Sequence, residues 1–109
     1  MQTISNRAVI ENLLSHGDSL EVARPVDHWI YFQNEDDCTK FLNIVKSLGF
    51  EIVNQTNLAD REHYPFQLQI SRIDHVDLQS IDACTLQLWK LAQQYSGEYD
   101  GWETQIIKN

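Results

Sequence analysis

Apolar residues fall at helical spacing in three stretches of this chain and alternate as in strands between them. Val9, Ile10, Leu13 and Leu14 recur on one side of a helix predicted over residues 5–16, with Ser5 as N-cap and Gly17 as the stop. Residues 26–33 are β-branched and aromatic, which predicts a first strand with Pro25 at its entrance. Asn34 to Asp37 form an acidic, cap-like cluster that suits the positive end of a helix dipole. The stripe that follows is Cys38, Phe41, Leu42, Val45 and Leu48, closed by Gly49, with Phe50 placed to fold back on it. Residues 50–54 predict a second strand and residues 57–65 a polar loop. In residues 66–72, Phe66, Leu68 and Ile70 alternate with Gln67, Gln69 and Ser71, the mark of a strand covered on one face only. Asp77 caps a long helix with the stripe Ile81, Cys84, Leu88, Leu91 and Tyr95, and Ser96-Gly97 closes it. The last strand is predicted over residues 98–107.

The predicted order is therefore a helix followed by β-α-β-β-α-β. Two βαβ-like halves favour an α+β fold: a ferredoxin-like, four-stranded antiparallel sheet with helices on one face. In the usual strand order of that plan the first and third strands are central and the last is an edge. No repeat or linker divides the chain, so residues 1–109 are expected to form one domain, with an N-terminal helix over 3–17 and the ferredoxin-like core over 24–107. The extra helix has three places to bury its apolar side: the helical layer, the sheet's open face, or a second copy in a homo-oligomer.

Composition changes this picture mainly through charge. Of 109 residues, 8 are basic and 16 acidic, leaving a net charge of −8, which repels phosphate backbones and argues against direct nucleic-acid binding. The same charge suits either simple solubility or a protein partner with a basic surface. Cys38 and Cys84 lie in apolar helical stripes and share no ligand-spaced motif, so they are expected to be reduced core residues of a cytoplasmic protein. Residues 1–14 carry charge through their apolar stretch, unlike a secretory signal, and no run approaches the roughly 18 apolar residues of a membrane span.

Candidate chemistry is sparse. His16, His28, His63 and His75 never pair at the spacing of a helical metal site, so no metal and no cofactor are expected. There is no GxSxG elbow and no phosphate loop, and Cys84 in a packed stripe makes a costly thiolate. Glu98 and Asp100 share one strand face, yet acid–base work also needs a pocket. No catalytic residue is assigned. A small enzyme built on histidine and carboxylate groups stays the alternative from a different class.

Two aromatic groups have two readings, a protein contact surface or packing: Trp29 and Tyr31 beneath the N-terminal helix, and the last-strand segment as part of the core. Trp29 and Tyr31 share one side of the first strand, and they lie on the open face if His28, Ile30 and Phe32 face the helices. RNA-recognition domains stack bases on such rings, but the basic-aromatic motif they carry is absent and the charge is wrong. The second group is Glu98-Tyr99-Asp100-Gly101-Trp102. Gly101 within a strand pattern suggests a bulge, and Trp102 is expected to pack inward with Ile106. Tyr99 and Glu103 take the other side unless the bulge shifts the parity. The expected partner-binding residues are Trp29, Tyr31, Glu98, Tyr99, Asp100 and Glu103, with Tyr99 contributing more to binding than to folding.

Four stretches of the sequence, NLLSHG, HWIYF, SLGFEIV and above all EYDGWETQI, together resemble the ribonuclease E regulator B family, in the same order along nearly the whole chain. That resemblance implies a ferredoxin-like, acidic, cytosolic protein that is not an enzyme. It implies inhibition of an endoribonuclease by docking, and hence modulation of RNA turnover. The family's named member continues past this motif into a long acidic tail, whereas this sequence stops at Asn109, which bears on how far ribonuclease binding carries over. An immunity-type domain that neutralises a basic toxin or nuclease is the alternative within the same class.

Overall fold

The computed structural model describes residues 6–59 and 61–108; Ser5, the expected N-cap of the first helix, lies outside them. The elements follow in the order α1 (Asn6–Ser15), β1 (Arg24–Phe32), α2 (Glu35–Ser47), β2 (Glu51–Asn57), β3 (Phe66–Asp74), α3 (Leu78–Gln94) and β4 (Glu98–Thr104). All pairings are antiparallel and the strand order is β2-β3-β1-β4, with β1 and β3 central. This is the ferredoxin-like order that the β-α-β-β-α-β pattern predicts.

Local chemistry explains where the helices begin and end. The Asn34 side chain accepts the Asp37 N–H at 2.8 Å, and Glu35, Asp36 and Asp37 occupy the first turn of α2. At the other end Gly49, at φ +93°, donates its N–H to Lys46, and Phe50 donates to Val45, a Schellman closure that turns the Phe50 ring into the core. The side chain of Asp77 caps α3 by accepting the Ser80 N–H at 3.0 Å. The end of α3 has the same closure with a different division of labour. Ser96 takes the left-handed conformation at φ 55°, while Gly97 makes room for a core ring. A Cβ on Gly97 would stand 2.5 Å from Cε1 of Phe32, so a side chain there has no space.

Burial along β1 alternates without a break: Val26, His28, Ile30 and Phe32 are buried, and the odd positions between them are not. The main core lies between this face and α2 and α3, built on Ile30, Phe32, Phe41, Val45, Leu68 and Leu88. A second cluster joins Ile10 and Leu13 of α1 to Val26, Val76 and Ile81. Helix α1 therefore buries its apolar side in the helical layer, against α3 and the inner face of β1. Asn6 fastens it there, donating to Asp82 at 2.8 Å and Thr85 at 2.9 Å while accepting the Trp102 indole N–H at 2.8 Å.

Among the boundaries that differ from the sequence expectation, three have a tertiary reason. Strand β1 starts at Arg24, because a buried ion pair with Asp18 draws that residue into the fold. Strand β2 runs on through the polar residues Asn54 to Asn57, which pair with β3 despite weak intrinsic strand preference. Strand β4 stops at Thr104, because the Gln105 carbonyl accepts from Arg24 and the Ile107 N–H donates to Asp18.

Candidate functional site on the open sheet face

Neither buried cluster draws on the odd-numbered residues of β1, so the described helices leave that face of the sheet uncovered. Trp29 and Tyr31 stand half-buried at its centre. Opposite them on β3 are Gln69 and Gln67, and on β4 are Gly101 and Glu98. Cross-strand hydrogen bonds hold the surface in place. Gln67 donates to the Tyr31 hydroxyl at 2.8 Å, and Gln69 donates to the Asp27 carboxylate at 3.0 Å. From the β2–β3 loop, the Arg61 guanidinium lies over the Tyr31 ring, 4.2 Å from its centroid. Carboxylates rim the face: Asp27 beside Trp29, with Glu103 directly opposite Asp27, and Glu98 opposite Tyr31.

The EYDGW segment divides between this face and the core. Its pairing with β1 shifts between Trp29 and Ile30, so Asp100 is an extra residue, the bulge that Gly101 suggests. One inserted residue reverses the parity, and Tyr99 and Trp102, three apart, both point to the helices. This corrects the expectation for Tyr99. It is 3% exposed, packs in the main core, and its hydroxyl lies 2.8 Å from Nδ1 of His28. Its ring lies in the core, away from the open face. Trp102 does pack inward, but against the cluster of Ile10, Val26 and Ile81; Ile106 is 41% exposed and lies beyond the strand end. Glu98, Asp100 and Glu103 are exposed, so of the six expected contact residues the structure gathers Trp29, Tyr31, Glu98 and Glu103 on one face and places Asp100 at its bulged edge. Asp27, Gln67, Gln69 and Arg61 complete that surface. The polar side of β3 was readable, but its alignment with β1, and the reach of Arg61 from a loop, depend on register.

The buried polar groups have little nucleophilic or acid–base power. His28 is fully buried, with Cys84 Sγ 3.8 Å from its Nε2. Burial lowers the imidazole pKa to about 3 and raises the Cys84 thiol to about 11, so both stay neutral near pH 7. Burial also raises Tyr99 above its usual phenol range. His28 makes the fold sensitive to acid, because the unfolded chain binds a proton there that the folded chain excludes. Stability is expected to fall by about 1.4 kcal/mol per pH unit as pH drops below the ordinary histidine value near 6.5. Urea unfolding between pH 7 and 5, above the range where carboxylates titrate, measures this slope, and His28→Gln should flatten it. Among the described residues, no group of three or more His, Cys, Asp or Glu could hold a metal ion. Also among them, no helix is long and apolar enough to cross a membrane.

Fold and surface together define an α+β domain of ferredoxin-like strand order whose accessible chemistry is an aromatic, carboxylate-rimmed sheet face. Over residues 3–104 the sequence matches the family described as Regulator of ribonuclease activity B (RraB), and the chain belongs to that family. One relative is the Regulator of ribonuclease activity B of Shewanella denitrificans. It is 27% identical over 108 residues, an alignment that spans 97% of this chain and 83% of that protein.

Proposed function

We propose that this chain is a non-enzymatic regulator that docks on a ribonuclease through the open sheet face, acting as one domain in the cytoplasm. Family membership supports the ribonuclease, and one observation supports the face: paired aromatic rings ringed by carboxylates on the side of the sheet the helices leave bare. Aromatic residues are enriched where protein interfaces carry most of their energy, and surrounding charge sets partner choice and association rate. A surface at −8 overall disfavours RNA itself and favours a basic region of the enzyme that handles RNA. Inhibition then comes from occupying or reshaping that region, with no covalent step.

The test is RNA cleavage by ribonuclease E from the same cell, with and without the purified chain, alongside direct binding at increasing salt. Cleavage should slow, and binding should weaken as salt rises. The double substitution Trp29→Ala with Tyr31→Ala should reduce affinity at least about tenfold, which corresponds to about 1.4 kcal/mol, while the chain stays folded. Unchanged cleavage with no detectable complex would overturn the reading. So would capture, from the same cytoplasm, of a toxin-like protein in place of any ribonuclease.

A further inference from the structure

Asp27 and Glu103 are direct cross-strand partners on the open face, two like charges set side by side where such pairs ordinarily destabilise a sheet. Next to them Trp29 faces Gly101, which presents no side chain to its ring. The hollow beside this pair, about 340 Å³, is lined by Pro25, Asp27, Glu103, Thr104 and Gln105. The same face already holds one guanidinium. Arg61 lies over Tyr31, the ring two residues along the strand from Trp29.

We propose that Trp29, Asp27 and Glu103 form the seat for an arginine side chain of the protein partner. The inference rests on the docking reading above and gives its chemistry. A guanidinium is planar and weakly hydrated, stacks on aromatic faces, and offers donors in a fork that two carboxylates can accept together. An ammonium group has the charge without the plane or the fork. Asp27 keeps acceptor capacity for such a ligand. Gln69 donates to its Oδ2 and so fixes the carboxylate's orientation, leaving further lone pairs to accept. Glu103 is exposed and adds the second carboxylate from β4. Occupation by a cation turns the repulsion between the two into attraction, so the pair costs stability in the free protein and gives it back in the complex. Tyr31 with Arg61 is the in-chain version of the same contact, and it places two ring–guanidinium positions side by side on the face.

The experiment uses synthetic peptides in place of the nuclease, so its outcome is separable from the ribonuclease question. The full chain is titrated with a six-residue arginine peptide and a six-residue lysine peptide of equal charge, followed by amide and indole NMR shifts. The arginine peptide should bind at least about fivefold more tightly, with shifts concentrated at the Trp29 indole and the amides of Asp27 and Glu103. Glu103→Gln, Asp27→Asn and Trp29→Ala should each remove that preference, with unfolding midpoints showing that all three variants remain folded. Equal affinity for the two peptides would overturn the seat, as would shifts spread over every acidic patch or a Glu103→Gln variant that binds like the parent. If the peptides fail while ribonuclease inhibition stands, only the seat is lost. If the peptides behave as expected and no ribonuclease is bound, the seat stands with a different arginine-bearing protein as partner.

Discussion

Tyr99→Ala should cost about 4 kcal/mol of folding stability, a large fraction of what a domain of this size has to lose. The ring sits in the main core at 3% exposure, so truncation removes its buried apolar area and leaves a cavity that the surrounding core can fill only in part. It also strips His28 of the hydroxyl partner at its Nδ1. Tyr99→Phe separates the two contributions. It keeps the ring and loses the hydrogen bond, and should cost about 1–3 kcal/mol, because a fully buried imidazole nitrogen is left without its partner. Equilibrium urea unfolding at pH 7 measures both. Binding per folded molecule should be the same in Tyr99→Phe and the parent, since the ring never reaches the open face. A Tyr99→Ala protein as stable as the parent would contradict the buried placement.

That result also marks where sequence reasoning reaches its limit. The helix stripes, the caps at Asn34 and Asp77 and the alternation in β3 are local signals, and each produced the element it predicts. Strand order followed from them, because βαβ connections admit few topologies. Side-chain direction in β4 did not follow, although Gly101 suggested the bulge itself. A bulge shifts every later residue by one, and where it falls depends on pairing with β1. The candidate surface was legible to the same extent. Parity put Trp29 and Tyr31 on one side of β1, and that side is the open one because His28, Ile30 and Phe32 face the helices. That Glu103 stands across from Asp27, and that Arg61 reaches Tyr31, are facts of register and of a loop. The placement of α1 was a matter of tertiary packing, settled by Asn6, whose amide links two helices and a strand.

Nothing in the local pattern announced Asp18 and Arg24, and the second large effect is expected there. Both side chains are almost fully buried, and the Arg24 guanidinium meets the Asp18 carboxylate through two hydrogen bonds, Nη2 to Oδ1 at 2.9 Å and Nη1 to Oδ2. The remaining bonding capacity is also used. Arg24 donates to the carbonyls of Val22 and Gln105, and Asp18 accepts the N–H groups of Leu20 and Ile107. Hydrogen bonding to Arg24 above all holds the Asp18 carboxyl far below its usual range, so its contribution is complete at neutral pH and is lost only in strong acid, as pH falls from the ordinary carboxylate value toward the lower folded one. Asp18→Ala leaves a buried guanidinium without its counter-charge and should cost about 3–5 kcal/mol. The loss should be local as well as global. The Ile107 amide loses its acceptor, and hydrogen exchange over residues 105–108 should accelerate beyond what the change in global stability explains. Replacing both partners with apolar residues of similar volume, Asp18→Leu with Arg24→Met, should recover part of the stability, since no unpaired charge then remains inside. It cannot recover the bonds to Gln105 and Ile107, so exchange in that segment should stay fast in the double variant. Restored stability with slow exchange there would mean that packing, rather than the ion pair, fastens residues 105–108 to the fold.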